Sequence, residues 1–254
     1  MKYDLRKEAR LFMIFDILGD TERSGPLLWK IDRKRLEDVK NHTFDLLLIA
    51  RILKRYLPDN LNFDKINDYI LCHDLPEAIT GDITKFEGVS NEEIKRVTDI
   101  AINWLCSQFD DILDFSTIFK SYENKVDLES KVVHMIDKIH SSTTFIKYQS
   151  EKNVDMNHPD IIPDLRNHPF VVQKIAQGKD LADIFFEYHL KAVCFTEEEM
   201  QKYHLTESQA SEIINIITTF ATEIYLQKFH GPWSMVKEDF PVDAMLYNRN
   251  VSKA

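Results

Sequence analysis

Apolar residues recur at helical spacing along most of this 254-residue chain, and no stretch shows the two-residue alternation of a half-buried strand. Leu5, Ala9, Leu11, Phe12, Ile14, Phe15 and Leu18 keep close to that spacing within 3–18. A denser set, Leu46, Leu47, Ile49, Ala50, Ile52 and Leu53, runs from Phe44 to Tyr56 behind Asn41-His42-Thr43. Further helices are predicted over 63–73, from a Ser90 cap with Glu93 three residues on through Leu105, and over 109–122. Others are predicted from Asp127 to about Tyr148, near 179–193 and over 206–229. Only six Gly and eight Pro leave little material for the turns of a many-stranded fold. The predicted class is therefore all-α. One helical bundle is expected over residues 1–150, with 151–254 adding further helices packed on the same domain. Segment 20–41 reads as irregular and cationic, 151–178 as a long loop with one short helix, and 230–254 as a polar tail.

No apolar run approaches the roughly 20 residues that a membrane span needs. The start, Met1-Lys2-Tyr3-Asp4-Leu5-Arg6-Lys7-Glu8, is too charged for a signal peptide. Cys72, Cys106 and Cys194 are few, odd in number and far apart, which implies neither a disulfide framework nor a thiolate metal site. A soluble cytoplasmic protein with no membrane partner is expected. A formal net charge of −10 argues against stable nucleic-acid binding, which draws on a basic field. It leaves room for a small phosphorylated ligand held by a few local cations.

The chemistry concentrates in ten residues, His73-Asp74-Leu75-Pro76-Glu77-Ala78-Ile79-Thr80-Gly81-Asp82. They follow Tyr69-Ile70-Leu71-Cys72, the apolar last turn of a predicted helix. An imidazole and a carboxylate at the buried end of a helix both need partners. A divalent cation satisfies both, through ring nitrogen and carboxylate oxygen. Glu77, three residues on, and Asp82, behind a Gly that can turn the chain sharply, add two more carboxylates. The competing reading is that Asp74 merely caps a helix opening at Pro76, with Glu77 in its first turn.

Two more candidates lie elsewhere. His42 falls in the first turn of the Phe44–Tyr56 helix, where a capping or solvent-facing role is the plainer reading. Asp137 sits beside the apolar stripe Val132, Val133, Ile136, Ile139, Thr143 and Ile146, so it requires a partner. His134 and His140, about one turn either side, compete with it and rank below. Arg23 stands apart from the other cations of 20–41 because Ser24-Gly25-Pro26 suggests an ordered turn behind it.

Together, His42, His73-Asp74 and Asp137 on three helices resemble the HD-domain superfamily of metal-dependent phosphohydrolases. In that superfamily one His, an adjacent His-Asp pair and a distant Asp bind a divalent cation inside a helical bundle. His73-Asp74-x-x-Glu77-x-x-x-Gly81-Asp82 is similar to the signature of its 5′-deoxynucleotidase branch. The resemblance covers about residues 5–150 and implies a single HD-domain bundle with additional C-terminal helices. It implies one divalent metal ion on His42, His73, Asp74 and Asp137, with Mn, Co, Fe, Mg or Zn equally compatible with the ligand set. It implies catalytic roles for Glu77 and Asp82, a phosphate contact from Arg23, a small nucleotide substrate and a homodimer. Bulky residues on more than one face of 206–229, including Phe220, Tyr225 and Leu226, suit such a dimer. The expected reaction is hydrolysis of a (deoxy)nucleoside 5′-monophosphate to nucleoside and phosphate. The alternatives are hydrolysis of a triphosphate, a cyclic nucleotide or an alarmone, and an inactive nucleotide-sensing domain.

Overall fold

The computed structural model describes residues 4–31, 36–84, 87–150, 167–179 and 181–227. Its centre is a helix that is buried almost all the way round. This helix, α8 (Leu128–Ser150), buries Val132, Val133, Met135, Ile136, Ile139, Phe145, Ile146 and Tyr148. A helix apolar on one face only could not be enclosed in this way. Asp127 starts it by accepting the Ser130 N–H at 2.8 Å.

Two helices lean on α8 from the N-terminal half. In α3 (Val39–Leu53), Asp38 accepts the Asn41 N–H at 2.7 Å, and the buried set Val39, His42, Thr43, Leu46, Ile49, Ala50, Leu53 follows one face. In α4 (Phe63–Cys72), Asn62 caps the first turn and Ile66, Tyr69, Ile70 and Cys72 turn inward. Before them come α1 (Arg6–Ile17), which buries only Leu11, and α2 (Ser24–Leu28). After them come α5 (Glu77–Thr80), α6 (Asn91–Phe109) and α7 (Phe115–Glu123). The C-terminal part supplies α9 (Pro169–Ala176), α10 (Leu181–Leu190), α11 (Glu197–Lys202) and α12 (Glu207–Gln227). Helices α10 and α12 both pack on α8, and Val193, Ile213, Ile217 and Ala221 join the same core as Leu46, Ile70 and Ile136.

The all-α class is observed: among the described residues the only β pairing is an isolated bridge between Glu22 and Asp38. Local details differ from the sequence expectation. The described parts of segment 20–41, residues 20–31 and 36–41, are ordered rather than irregular. They hold α2, the bridge and the start of α3, which opens at Val39, two residues before Asn41-His42-Thr43. The reason is a satellite apolar cluster. Trp29 and Ile31 are buried with Phe145 and Tyr148, and Trp29 meets the Phe185 ring edge-on at 4.9 Å. The helix expected over 109–122 begins at Phe115, because Asp114 caps it by accepting the Thr117 N–H. Helix α11 had no apolar period to announce it; a capping box between Thr196 and Glu199 starts it. Helix α12 was expected to offer a second apolar face. Ile216 and Phe220 pack on the core instead, and Tyr225 stacks on Phe186 at 4.6 Å, leaving Leu226 exposed. The predicted tail 230–254 and most of the 151–178 loop lie outside the described residues.

Candidate metal centre

The end of α4 delivers His73 and Asp74, the first turn of α3 delivers His42, and the middle of α8 delivers Asp137. The four side chains converge. His42 Nε2 lies 3.5 Å from Asp74 Oδ2 and 3.2 Å from Asp137 Oδ1, and His73 Nε2 lies 3.2 Å from Asp74 Oδ2. His42, His73 and Asp137 present donor atoms all within 4.8 Å of one another. Both His Nε2 atoms are buried and have no hydrogen bond of acceptable geometry. Two imidazole nitrogens left so, beside carboxylates only 3.2–3.5 Å away, are lone pairs aimed at a common point. The donor set fits a divalent cation of the kind bound by nitrogen and oxygen ligands.

Charge in the cluster fits as well. Four carboxyls, Asp74, Glu77, Asp82 and Asp137, bear on Arg23, and the nearby cations are Arg23 and Lys138. Burial, with Arg23 close by, pushes His42 down to about 3, so its ring is neutral and able to ligate. Burial would lower His73 too, but Asp74 and Asp137 carry it above its ordinary value. Asp137 stays ionised against its own burial because Lys138, His42 and His73 surround it. Lys138 Nζ is 2.9 Å from Asp137 Oδ2.

The ring of His73 is fixed by its own helix, with Nδ1 2.8 Å from the Ile70 carbonyl. An N–H at Nδ1 leaves Nε2 as the acceptor, which is the tautomer a metal ligand needs. Asp74 does not cap α5, whose first turn has Pro76 at the cap and no side-chain cap bond. The competing candidates in α8 face elsewhere. His134 stacks on Tyr122 at 4.1 Å with Nε2 3.1 Å from the Tyr122 carbonyl, and His140 lies behind His42.

Around this cluster, Arg23 sits just before α2, with Nη1 3.3 Å from Asp74 Oδ2 and Nε 4.0 Å from Glu37 Oε2. It therefore touches a ligand candidate rather than standing clear of it. Asp82 has a second task. Its Oδ2 accepts the Ser24 N–H at 2.8 Å, and its carbonyl accepts the Ser24 hydroxyl, so it ties α2 to the His-Asp loop. Gly81, at φ 76°, makes the turn that sends Asp82 back toward Ser24, a conformation disfavoured for any side chain. Glu77 Oε2 is buried without a hydrogen-bond partner, and burial, Asp74 and Asp82 push this carboxyl well up. Sequence reasoning missed Glu37 and Lys138, and read Ser24 only as part of a turn behind Arg23. None of the three carries a signal for the role it has here, and only the fold brings them to the site. A cavity of about 700 Å³ opens between α6 and α7, lined among others by Lys95, Asp99 and Lys120. None of its lining residues belongs to the cluster.

An HD domain model matches residues 15–163, more than half of the chain, and this protein belongs to the HD domain family. Among curated proteins it is 28% identical over 135 residues to the 5′-deoxynucleotidase YBR242W of Saccharomyces cerevisiae. That match covers 50% of this chain and 55% of the yeast protein, so the chain spans about half of that relative. It is 25% identical over 178 residues to the human 5′-deoxynucleotidase HDDC2, covering 66% of this chain and 83% of HDDC2. A solved structure, described as a predicted metal-dependent phosphohydrolase from Magnetospirillum magnetotacticum, superposes with a TM-score of 0.52 at 13% identity. It covers 87% of this chain and 96% of the other, a likeness of fold.

Proposed function

We propose that this protein is a metal-dependent 5′-nucleotidase that hydrolyses (deoxy)nucleoside 5′-monophosphates to nucleoside and phosphate. The observation that carries the reading is the pair of buried, hydrogen-bond-free Nε2 atoms of His42 and His73 converging on Asp74 and Asp137. The family and the 5′-deoxynucleotidase relatives support the reaction class.

His42, His73, Asp74 and Asp137 would hold one divalent ion. When bound, it supplies Lewis acidity at a phosphoryl oxygen and lowers the pKa of water. Arg23, pre-ordered by Asp82 through Ser24, would grip the phosphate with its planar fork. Lys138 gives a second positive charge at the same mouth. In the reaction an oxygen of water bonds to phosphorus, the bond from phosphorus to the 5′ oxygen breaks, and a proton ends on that oxygen. Glu77 is suited to move that proton, because burial, Asp74 and Asp82 push its carboxyl well above the ordinary carboxylate range and its Oε2 is left without a partner. Asp82 would act mainly by holding Ser24 and Arg23 in place, with its own carboxylate close enough to share the proton work.

The protein is further read as a cytoplasmic homodimer with no membrane or nucleic-acid partner. Among the described residues no helix is long and apolar enough to cross a membrane. Phe44, Leu48 and Ile52, four residues apart on α3, are 64%, 47% and 44% exposed, an apolar stripe suited to a second subunit.

The decisive experiment is metal analysis of the purified protein with a phosphate-release screen. The panel contains mono-, di- and triphosphates, cyclic nucleotides and alarmones, each with Mn, Co, Fe, Mg and Zn. Monophosphates should be cleaved fastest. Metal binding without turnover of any of them would leave a nucleotide-sensing domain, and absence of bound metal would sink the reading.

A further inference from the structure

Behind the metal cluster lies a second buried polar group with no counterpart in the sequence motif. His42 Nδ1 is 2.9 Å from His140 Nδ1 on α8. The other nitrogen of His140, Nε2, is 3.2 Å from Asp45 Oδ2 and 3.7 Å from Glu37 Oε1. Both rings are buried, at 0% and 3% exposure. Glu37, His42 and His140 could themselves hold a metal, since their donor atoms lie within 4.8 Å of one another.

Tautomer arithmetic decides against a second ion. A neutral imidazole has one N–H and one lone pair. If His42 offers its Nε2 lone pair to the first metal, its Nδ1 carries the hydrogen and cannot ligate anything. That N–H needs an acceptor, and His140 Nδ1 is at hydrogen-bond distance. His140 then carries its own hydrogen on Nε2, which faces Asp45 and Glu37. Every nitrogen of the two rings then has a partner except His42 Nε2, which is left for the ion. Accordingly, neither nitrogen of His140 is among the buried polar atoms without a partner, whereas His42 Nε2 is.

We infer that His140 is a positioning residue for the metal site: it accepts the His42 Nδ1 hydrogen, passes the polarisation to Asp45 and Glu37, and so fixes the ligating tautomer of His42. This rests on His42 being a metal ligand, as proposed above. His73 has the same need met by a backbone carbonyl of its own helix. His42 lies in the first turn of α3, where its ring is turned toward α8, so its acceptor comes from another helix. Partners of this kind orient the ring and raise the basicity of the ligand, and their loss typically weakens metal binding 10–100-fold.

The test is the dissociation constant of Co²⁺ or Zn²⁺, measured by chelator competition on the full chain. Wild type is compared with His140→Leu, His140→Gln and the double variant Glu37→Gln/Asp45→Asn. The visible spectrum of the Co²⁺ form is a second readout, and thermal unfolding of the metal-free proteins reports folding. His140→Leu should bind about 10–100-fold more weakly with an altered Co²⁺ spectrum. Gln can accept and donate in the same places, so His140→Gln should recover most of the affinity. The double variant keeps both shapes, removes the negative charge and should weaken binding in the same direction. It carries the test if His140→Leu does not fold. Wild-type affinity in His140→Leu, or equal weakness in His140→Gln and His140→Leu, overturns the inference. If wild type binds no divalent cation, it is the metal-site reading that fails, and this inference goes with it.

Discussion

Replacing Glu77 by Gln should separate the cost of this carboxyl to the fold from its use in the reaction. In the metal-free protein Glu77 is pushed up by burial first, then by Asp74 and Asp82, and its Oε2 has no hydrogen-bond partner. The folded state therefore keeps a proton that the unfolded chain releases above its ordinary pKa of about 4.3. Stability contributed by this group is full below that pH and is lost as pH rises toward the folded-state pKa. The loss runs at about 1.4 kcal/mol per pH unit. Gln has no proton to release, so Glu77→Gln escapes this slope. For a chain of this size 1 kcal/mol moves Tm by roughly 2–4 °C, so the Tm advantage of the variant should widen by about 3–6 °C per pH unit between the unfolded-state pKa and the raised folded-state one, and level off above it. The assay is thermal unfolding of chelator-treated wild type and variant from pH 5 to 8. With metal restored, the variant should still bind nucleotide while kcat falls about 100-fold or more. A Tm difference that stays flat with pH would show Glu77 titrating as an exposed carboxylate. Wild-type kcat in the variant would remove it from the proton transfer.

Other changes test the rest of the site. Metal at about one hundred times its Kd should stabilise the fold by about 2.7 kcal/mol, or about 5–11 °C in Tm, and Asp137→Ala should abolish both that shift and activity. Retained metal in Asp137→Ala would mean the fourth ligand is another residue. Arg23→Ala should raise KM for 5′-monophosphates and lower kcat/KM, because a charge-assisted phosphate contact is lost; unchanged kinetics would place the phosphate elsewhere. It should also alter metal affinity modestly, since Arg23 Nη1 lies 3.3 Å from Asp74 Oδ2. Trp29→Ala should cost about 3–5 kcal/mol by urea unfolding. It should also raise KM while leaving metal content intact, as the cluster that seats α2 loosens. Leu48→Glu, in the exposed α3 stripe, should convert a dimer to a monomer by light scattering at micromolar concentration; a monomeric wild type refutes the assembly.

The helices and the kinds of ligand were legible in the sequence because both are local. Apolar spacing in α3, α4 and α8 marks a buried face wherever the helix ends up, and a His-Asp pair at the end of an apolar turn needs a partner in any all-α fold. Asp137 could be ranked above His134 and His140 from its place beside an apolar stripe. The work of those two histidines could not be read that way. The pairing of His140 with His42 joins residues 98 apart, and that of Asp82 with Ser24 joins residues 58 apart. Neither leaves a period or a spacing in the chain, because a single polar contact across helices depends only on where two backbones meet. Segment 20–41 looked irregular for the same reason: Trp29 is ordered by Phe145 and Phe185, which come from far along the chain. The sequence by itself thus determined an all-helical chain carrying two imidazoles and several carboxylates suited to a divalent cation. Only the tertiary structure decided which nitrogens are left open, which carboxylate anchors the Arg23 segment, and which histidine stands behind His42. Those choices rest on distances of about 3 Å between residues that the chain itself keeps far apart.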